Sequence, residues 1–148
     1  MAKMGLTMKD DPVRVVDPAA RQWGESVDGF ALSIEPVYLR EDRSVVSNLS
    51  VVIRNVSGQA KSLTIPGWLH FFQVDVGAPL SAFGRELLRP ERRKAEIDVP
   101  LAPGALAETQ IPIGSIFEMR RGASCTARVS CELPSGATLR SNRIEFTV

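Results

Sequence analysis

Apolar and polar residues alternate most regularly near the end of the chain. The apolar members of this alternation are Cys125, Ala127, Val129, Cys131 and Leu133, and polar or charged residues stand between them. A repeat of two residues is the period of a β-strand with one buried face and one solvated face. The pattern therefore predicts a strand over 124–133. We expect a hairpin here that turns at 134–136 and returns with the apolar residues Ile144, Phe146 and Val148 inward.

Shorter alternations predict a series of further strands. The first, over 30–36, has its even-numbered apolar residues inward and ends at Pro36, and a short edge piece follows over 37–39. The clearest internal strand, over 48–54, has its odd-numbered apolar residues on one face, and we expect it to lie at the centre of its sheet. Other predicted strands cover 61–65, 68–76, 95–99 and 105–113.

The segments between these strands carry turn signals. Residues 85–94 hold five basic and two acidic side chains, and the whole segment 81–94 is predicted as a surface loop. Residues 114–119 fit a single helical turn capped by Ser115. The turn at 101–104 suits either a hairpin or a crossing between two sheets. Many short strands without a long segment of period 3.6 favour an all-β sandwich over a parallel α/β sheet.

Length and charge limit the classes of protein to which the chain can belong. Its 148 residues fit one domain, for which we predict a flexible leader over 1–22 and a folded part over 23–148. The net charge is +1, from 18 basic and 17 acidic residues, so the chain lacks the basic excess that favours binding to nucleic acid. Since no apolar run has the length of an export signal or a membrane span, we expect a cytoplasmic protein. It would be secreted or periplasmic if an export signal is missing from this chain.

The residue types that carry chemistry are few and scattered. Cys125 and Cys131 share a predicted strand, which separates them by about 20 Å, whereas a disulfide requires Cα atoms within about 7 Å. They are therefore predicted to be free thiols, too far apart to hold zinc together with the single histidine, His70. We predict His70 to be a packed structural residue on an aromatic strand. The sequence thus predicts no catalytic residues, no metal, no cofactor and no enzymatic activity.

Two surface features are candidates for binding a partner. The first is the basic segment with Arg85, Arg89, Arg92 and Arg93, which is either a solvated loop or a docking site for an acidic surface. The second is the pair Leu69 and Phe71, on the outer face of the predicted 68–76 strand. This pair is either covered by the 81–94 segment or exposed to a partner.

Several short motifs carry a resemblance to known β-sandwiches. The chain has a Trp23-Gly24-Glu25 opening, a strand ending in Arg54-Asn55-Val56, a Pro103-Gly104 turn and a last strand that begins Ser141-Asn142. In this it resembles uncharacterised bacterial immunoglobulin-like modules. The resemblance implies an all-β, immunoglobulin-like antiparallel β-sandwich of about eight or nine strands over 23–148. More loosely, the chain is similar to the intracellular proteinase inhibitor type of bacterial β-sandwich, although Cys125 stands where that type has a late tyrosine.

The leading hypothesis is a non-catalytic binding or accessory module that acts through protein–protein contacts, because loops on such a scaffold usually carry its binding residues. The alternative is a proteinase inhibitor that presents the loop 81–94 to a trypsin-like protease. A second alternative is a carbohydrate-binding module that uses Trp68 or Trp23 as a stacking platform. We expect an unknown protein partner and neither nucleic acid nor a membrane, and the oligomeric state is open.

Overall fold

The computed structural model describes residues 18–38 and 46–148, which form an all-β sandwich of antiparallel sheets. The strands are β1 (Phe30–Tyr38), β2 (Val46–Asn55), β3 (Lys61–Ile65), β4 (Phe72–Asp75), β5 (Ile97–Leu101), β6 (Leu106–Ile111), β7 (Ser124–Glu132), β8 (Thr138–Arg140) and β9 (Ile144–Thr147). The helices are α1 (Trp68–Phe71), α2 (Ala82–Leu87) and α3 (Ile113–Ile116), and 3-10 turns occupy Pro18–Ala20 and Pro90–Arg92. The all-β fold class predicted from the sequence is confirmed.

Two main sheets enclose the hydrophobic core. One has the strand order β1-β2-β6, and the other has the order β4-β7-β8, with β9 also paired to β7. A third, two-stranded sheet joins β3 to β5. Because β2 lies between β1 and β6, its predicted central position is confirmed. The core residues that are fully buried include Leu32, Ile34, Leu49, Val51, Ile53, Leu63, Ile65 and Val129.

The predicted strand at the end of the chain is confirmed, but its return leg is interrupted. Cys131 pairs with Leu139 in β8, whereas Cys125 pairs with Phe146 in β9, so the returning leg contains one extra residue. An extra residue in one strand of a pair is a β-bulge. On the two sides of the bulge, the inward-pointing residues change from odd to even numbers. For this reason both Leu139 and Phe146 are buried although their numbers differ in parity.

The bulge also ties β1 to the opposite sheet. The side-chain oxygen of Asn142 accepts a hydrogen bond from the Ile34 N–H at 2.8 Å, and its amide nitrogen donates to the Ile34 carbonyl at 3.2 Å. One side chain thus supplies both hydrogen bonds that a neighbouring strand would give to this residue. Ser141 holds the bulge itself, because its hydroxyl accepts from the Val129 N–H at 2.9 Å.

The edge of β1 that faces away from β2 explains why this strand runs past Pro36, although the sequence predicts that it ends there. Ile34 and Leu32 bond to groups on the side away from β2, since the Leu32 carbonyl accepts from the Gly24 N–H at 3.0 Å. Pro36 has the same parity, so its missing N–H would also have pointed away from β2. No ladder hydrogen bond is lost. The predicted edge piece over 37–39 is therefore the end of β1, except for Leu39, which lies outside the described residues.

Part of the predicted leader is packed on the sandwich. Of the leader's 22 positions, residues 1–17 lie outside the described residues. Arg21, however, has a side chain that is 3% exposed and lies against the outer face of β1 and β2. Its guanidinium donates to the hydroxyls of Ser33 at 2.9 Å and Ser50 at 3.2 Å, and it lies 3.3 Å from the Glu35 carboxylate. A buried charge requires such partners. The boundary at residue 22 remains a prediction.

The short helix near residue 114 differs from its prediction in one detail. α3 begins at Ile113, with Pro112 as the residue that precedes it, so Ser115 lies inside the helix and does not cap it. Ile113 and Ile116 are buried, and they place one side of this helical turn in the core.

We expect Asn142→Ala to destabilise the protein by about 1–3 kcal/mol, because it leaves the buried N–H and carbonyl of Ile34 without partners. Chemical denaturation measures the change. Asn48→Ala is the matched control, since it also removes one asparagine side-chain hydrogen bond, to Gln110, but at an exposed position, and it should cost less than about 0.5 kcal/mol. Equal losses in the two variants would contradict the assigned role of Asn142.

Candidate functional site

The aromatic segment predicted as a strand over 68–76 is a helical turn followed by a shorter strand. Pro66 and Gly67 end β3, and Gly67 adopts a φ of 93°, which side chains other than glycine's strongly disfavour. α1 then brings Trp68 onto Phe72, with the rings stacked at 5.6 Å between centroids. The Phe71 ring meets the Phe72 ring edge-on, with 5.0 Å between the centroids. Phe72 is therefore the buried centre of an aromatic cluster.

Leu69 and Phe71, the predicted apolar pair, are both half-buried. Because α1 replaces the strand, they do not share one outer sheet face as predicted. Leu69 lines an apolar cleft of about 300 Å³ together with Leu80 and Leu88, which flank α2. Phe71 instead borders a separate, polar cleft. The two residues therefore do not form one common surface.

The segment 81–94, predicted as a surface loop, contains α2 and a 3-10 turn. The Ser81 hydroxyl caps α2 by accepting from the Gly84 N–H at 2.9 Å, and it also donates to the Ser115 carbonyl at 2.6 Å. Gly84 is needed at this contact, because a Cβ there would lie 2.1 Å from the Ile116 carbonyl oxygen. Tight packing against α3 therefore fixes the helical segment, by which we mean residues 81–94.

Ion pairs organise the basic residues of the helical segment. The Glu86 carboxylate lies 2.8 Å from the Arg92 guanidinium and 3.1 Å from that of Arg89. Their hydrogen bonds, that of Arg92 foremost, hold the pKa of the Glu86 carboxyl below its ordinary value. Arg85 donates to the Leu80 carbonyl at 2.8 Å. Arg93 is exposed, and no ion pair joins its side chain to another described residue, so it presents an unneutralised charge.

The single histidine joins α1 to the helical segment. His70 Nε2 lies 3.1 Å from the Arg89 carbonyl oxygen. A carbonyl oxygen only accepts, so the proton must be on Nε2. The Lys94 N–H donates to the Pro66 carbonyl at 3.2 Å and adds a second tie between the same two regions. The position of His70 on a helical turn corrects the predicted strand placement, and its contact gives it a structural part in holding this surface.

The two cysteines lie in β7, as predicted, and both are free thiols. Cys125 is half-buried and Cys131 is buried. Burial raises the pKa of the Cys131 thiol to about 12 from its ordinary value of 9.0. Because the thiolate is the nucleophile and metal ligand, Cys131 is unreactive near neutral pH.

A polar cleft of about 560 Å³ lies where α1 meets the outer face of β7. Its charged lining residues are Arg93, Glu96 and Glu132, and His70 and Cys131 also line it. The lining carries charges of both signs, so charge alone does not select one class of ligand. Within residues 18–38 and 46–148, no three His, Cys, Asp or Glu side chains are grouped so that they could bind a metal ion.

Among residues 18–38 and 46–148, three large apolar side chains are exposed, and sequence analysis identified none of them as candidates. They are Ile97, at 55% of full exposure, Phe83, at 54%, and Val56, at 46%. Phe83 lies on α2, which was predicted as a loop. Ile97 lies in the strand that was predicted over 95–99. The only sequence signal for Phe83 was the Ser81 cap three residues before Gly84, which indicates the start of a helix.

Comparisons with known proteins place no further residue in this site. No family model matches the chain, and no curated protein or solved structure matches it. None of the helices within the described residues has the length and apolar character needed to cross a membrane.

We expect one slow and one faster thiol when the native protein is treated with a chromogenic disulfide reagent near pH 8. Cys131 should react only after denaturant is added, because its folded pKa of about 12 keeps it protonated. Burial of the neutral Cys131 thiol contributes to the stability of the folded protein below pH 9.0. This contribution is lost as the pH rises toward 12, because the unfolded chain ionises the thiol at a lower pH than the folded chain does. Cys125→Ser isolates Cys131, and rapid labelling of this variant under native conditions would contradict the assignment.

Proposed function

We propose that the chain is a non-catalytic binding module that contacts a protein partner through the helical segment. The observation that carries the proposal is that the helical segment exposes one large aromatic side chain, Phe83, and the arginines Arg85, Arg89 and Arg92. Aromatic and arginine side chains are the residues that most often dominate the energy of protein interfaces. The predicted candidates Arg85, Arg89, Arg92 and Arg93 all belong to this segment, and Phe83 is added to them.

The fixed geometry of the segment supports this proposal. Ser81 and Gly84 hold α2 against α3, and His70 holds the following turn against α1. A surface that is ordered before binding loses less conformational entropy on association than a mobile loop. The surplus of arginines over carboxylates favours a partner surface that carries acidic residues.

We also propose that the sandwich is immunoglobulin-like, and the strand order supports this. An immunoglobulin constant-type sandwich pairs its strands A, B and E in one sheet and C, F and G in the other. The orders β1-β2-β6 and β4-β7-β8/β9 match these two sets when β1, β2, β4, β6 and β7 take the places of A, B, C, E and F. The pairing of β3 with β5 in a separate sheet departs from that scheme.

We expect Phe83→Ser and Arg85→Glu each to reduce capture of the partner by roughly tenfold or more. The immobilised chain is exposed to a lysate of its source organism, and quantitative mass spectrometry compares what each variant retains. Val56→Ser and Arg128→Glu are matched controls, because they change an exposed apolar residue and an exposed arginine on other surfaces. The proposal fails if no protein distinguishes the two site variants from the two controls.

A second candidate function, proteinase inhibition, has one observation in its favour. Arg85 lies on α2, and Arg89 and Arg92 are ion-paired around the 3-10 turn, so these side chains are not offered on an extended loop. Arg93, however, has an extended backbone with φ −62° and ψ 136°, and residues 93–96 are all exposed. This short stretch could enter a trypsin-like site.

Titration of trypsin with the purified chain separates the two candidates. The binding-module proposal predicts unchanged hydrolysis of a small arginine substrate at molar excess of the chain. Stoichiometric inhibition that disappears in both Arg93→Ala and Lys94→Ala would support the inhibitor function instead. Arg128→Ala controls for removal of a positive charge elsewhere on the surface.

A further inference from the structure

The sandwich is open along one side, between β5 and β6. In the β3–β5 sheet, Ile97 pairs directly with Ile65, so both side chains lie on the same face. Ile65 is 0% exposed, but Ile97 is 55% exposed. In the other sheet, Thr109 pairs with the buried Val51 and shares its face, yet it is only half-buried. Inward positions of both strands are therefore uncovered.

The opening widens from a closed corner. Near the turn at 102–105, Leu101 at the end of β5 is buried, whereas Val99 is half-buried and Ile97 is exposed. β5 and β6 belong to different sheets and are not paired with each other. Along β5, the exposure of the inward face therefore increases toward the end that lies beside α1 and the helical segment.

This opening, which we call the β5–β6 groove, has a volume of about 530 Å³. Its apolar lining comes from the buried Ile65 and from Trp68, Leu69, Leu87 and Ile97. Thr109 and Gln110 also line it, although neighbouring residues of a strand point to opposite faces. The groove must therefore border the backbone edge of β6 itself.

The charges around the groove have one sign. Arg92 and Lys94 line it together with His70, and none of its described lining residues is acidic. The nearest acidic residue of β5, Asp98, has the opposite parity to Ile97 and accepts a hydrogen bond from the Thr64 hydroxyl at 2.8 Å. Because Arg92 is already paired with Glu86, an occupant with a carboxylate at its border would complement Lys94.

The edge of β6 is suited to pairing with another strand. Among the described residues β6 pairs with β2 alone, so alternate N–H and carbonyl groups of its six residues point away from the sheet. The edge of β5 is less suited to pairing, because this strand contains Pro100. Proline lacks an N–H and is typical of edge strands that avoid pairing. β6 contains no proline.

We propose that the β5–β6 groove binds an extended acidic and apolar segment of a partner protein, which adds as a strand to the free edge of β6. Apolar side chains of the segment fill the groove over Ile65 and Ile97, and a carboxylate on the same segment meets Lys94. Strand addition at a free edge obtains affinity from main-chain hydrogen bonds and specificity from side-chain pockets. This inference deepens the proposed function and rests on it, since it names the chemistry of the partner.

The test uses a fluorescein-labelled peptide of alternating valine and glutamate, long enough to span β6 at about 3.3 Å per residue. Fluorescence anisotropy measures binding to the full chain at peptide concentrations below self-association. We expect saturable binding that is roughly tenfold or more tighter than for the matching valine and lysine peptide. Methylation of alternate backbone nitrogens on the side that faces β6 should abolish binding, because it removes the donors that a strand needs.

Variants of the protein locate the site. Ile97→Asp should weaken binding of the acidic peptide by roughly tenfold or more, and Lys94→Glu should reduce or reverse the preference between the two peptides. Val56→Asp is the matched control, because it places the same charge at another exposed apolar position. Circular dichroism checks that each variant is folded.

Each contrary result overturns the inference. Absence of saturable binding, equal binding of the two peptides, binding that survives backbone methylation, or equal loss in Val56→Asp would each exclude strand addition in this groove. A dimer seen by light scattering and dissociated by Ile97→Asp would assign the groove to a second copy of the chain. If the peptide experiments fail but capture of the partner still depends on Phe83 and Arg85, only the groove proposal is refuted. If capture of the partner does not depend on these two residues, the proposed function is refuted.

Discussion

The bulge between β8 and β9 is the constraint on which the arrangement of the two main sheets depends. By inserting one residue opposite β7, it turns Asn142 toward β1, where this side chain binds both main-chain groups of Ile34. The two sheets are thereby connected along one side at two adjacent residues, since Ser141 also forms a β-bridge with Leu32. Since Ile34 is fully buried, the hydrogen bonds form away from competing water, where an unmade bond is most costly.

The opposite side of the sandwich is controlled by a different asparagine. Asn55 is 0% exposed, and its side chain donates to the carbonyls of Leu101 at 3.0 Å and Gln59 at 2.7 Å while it accepts from Ser57. Its main chain also bonds Gly104 and Ala105, in the turn between β5 and β6. These bonds fix the closed corner from which the β5–β6 groove widens. Asn142 therefore connects the two sheets on one side of the molecule. On the other side, Asn55 fixes the turn from which the β5–β6 groove opens.

Much of the fold could be predicted because alternation of apolar residues reports directly on strands with one buried face. The β7 strand, the central position of β2 and the extent of β3 all follow from that pattern. The bulge could not be predicted, since it depends on which residue of β7 faces which residue of the return leg. α1 was missed because residues such as Trp68 and Phe71 favour strands intrinsically, whereas here they pack around Phe72.

The candidate surfaces were only partly predictable, for a physical reason that concerns Ile97 in particular. Alternation assigns a side chain to a face of its sheet, and this assignment is correct for Ile97, which shares a face with Ile65. Whether that face is covered depends on the position of another sheet, which no local pattern records. The two isoleucines differ in this respect, because Ile65 is fully buried and Ile97 is exposed. The ties at His70 and Lys94 hold the helical segment beside α1, and the same anchoring places Arg92 and Lys94 at the border of the apolar groove.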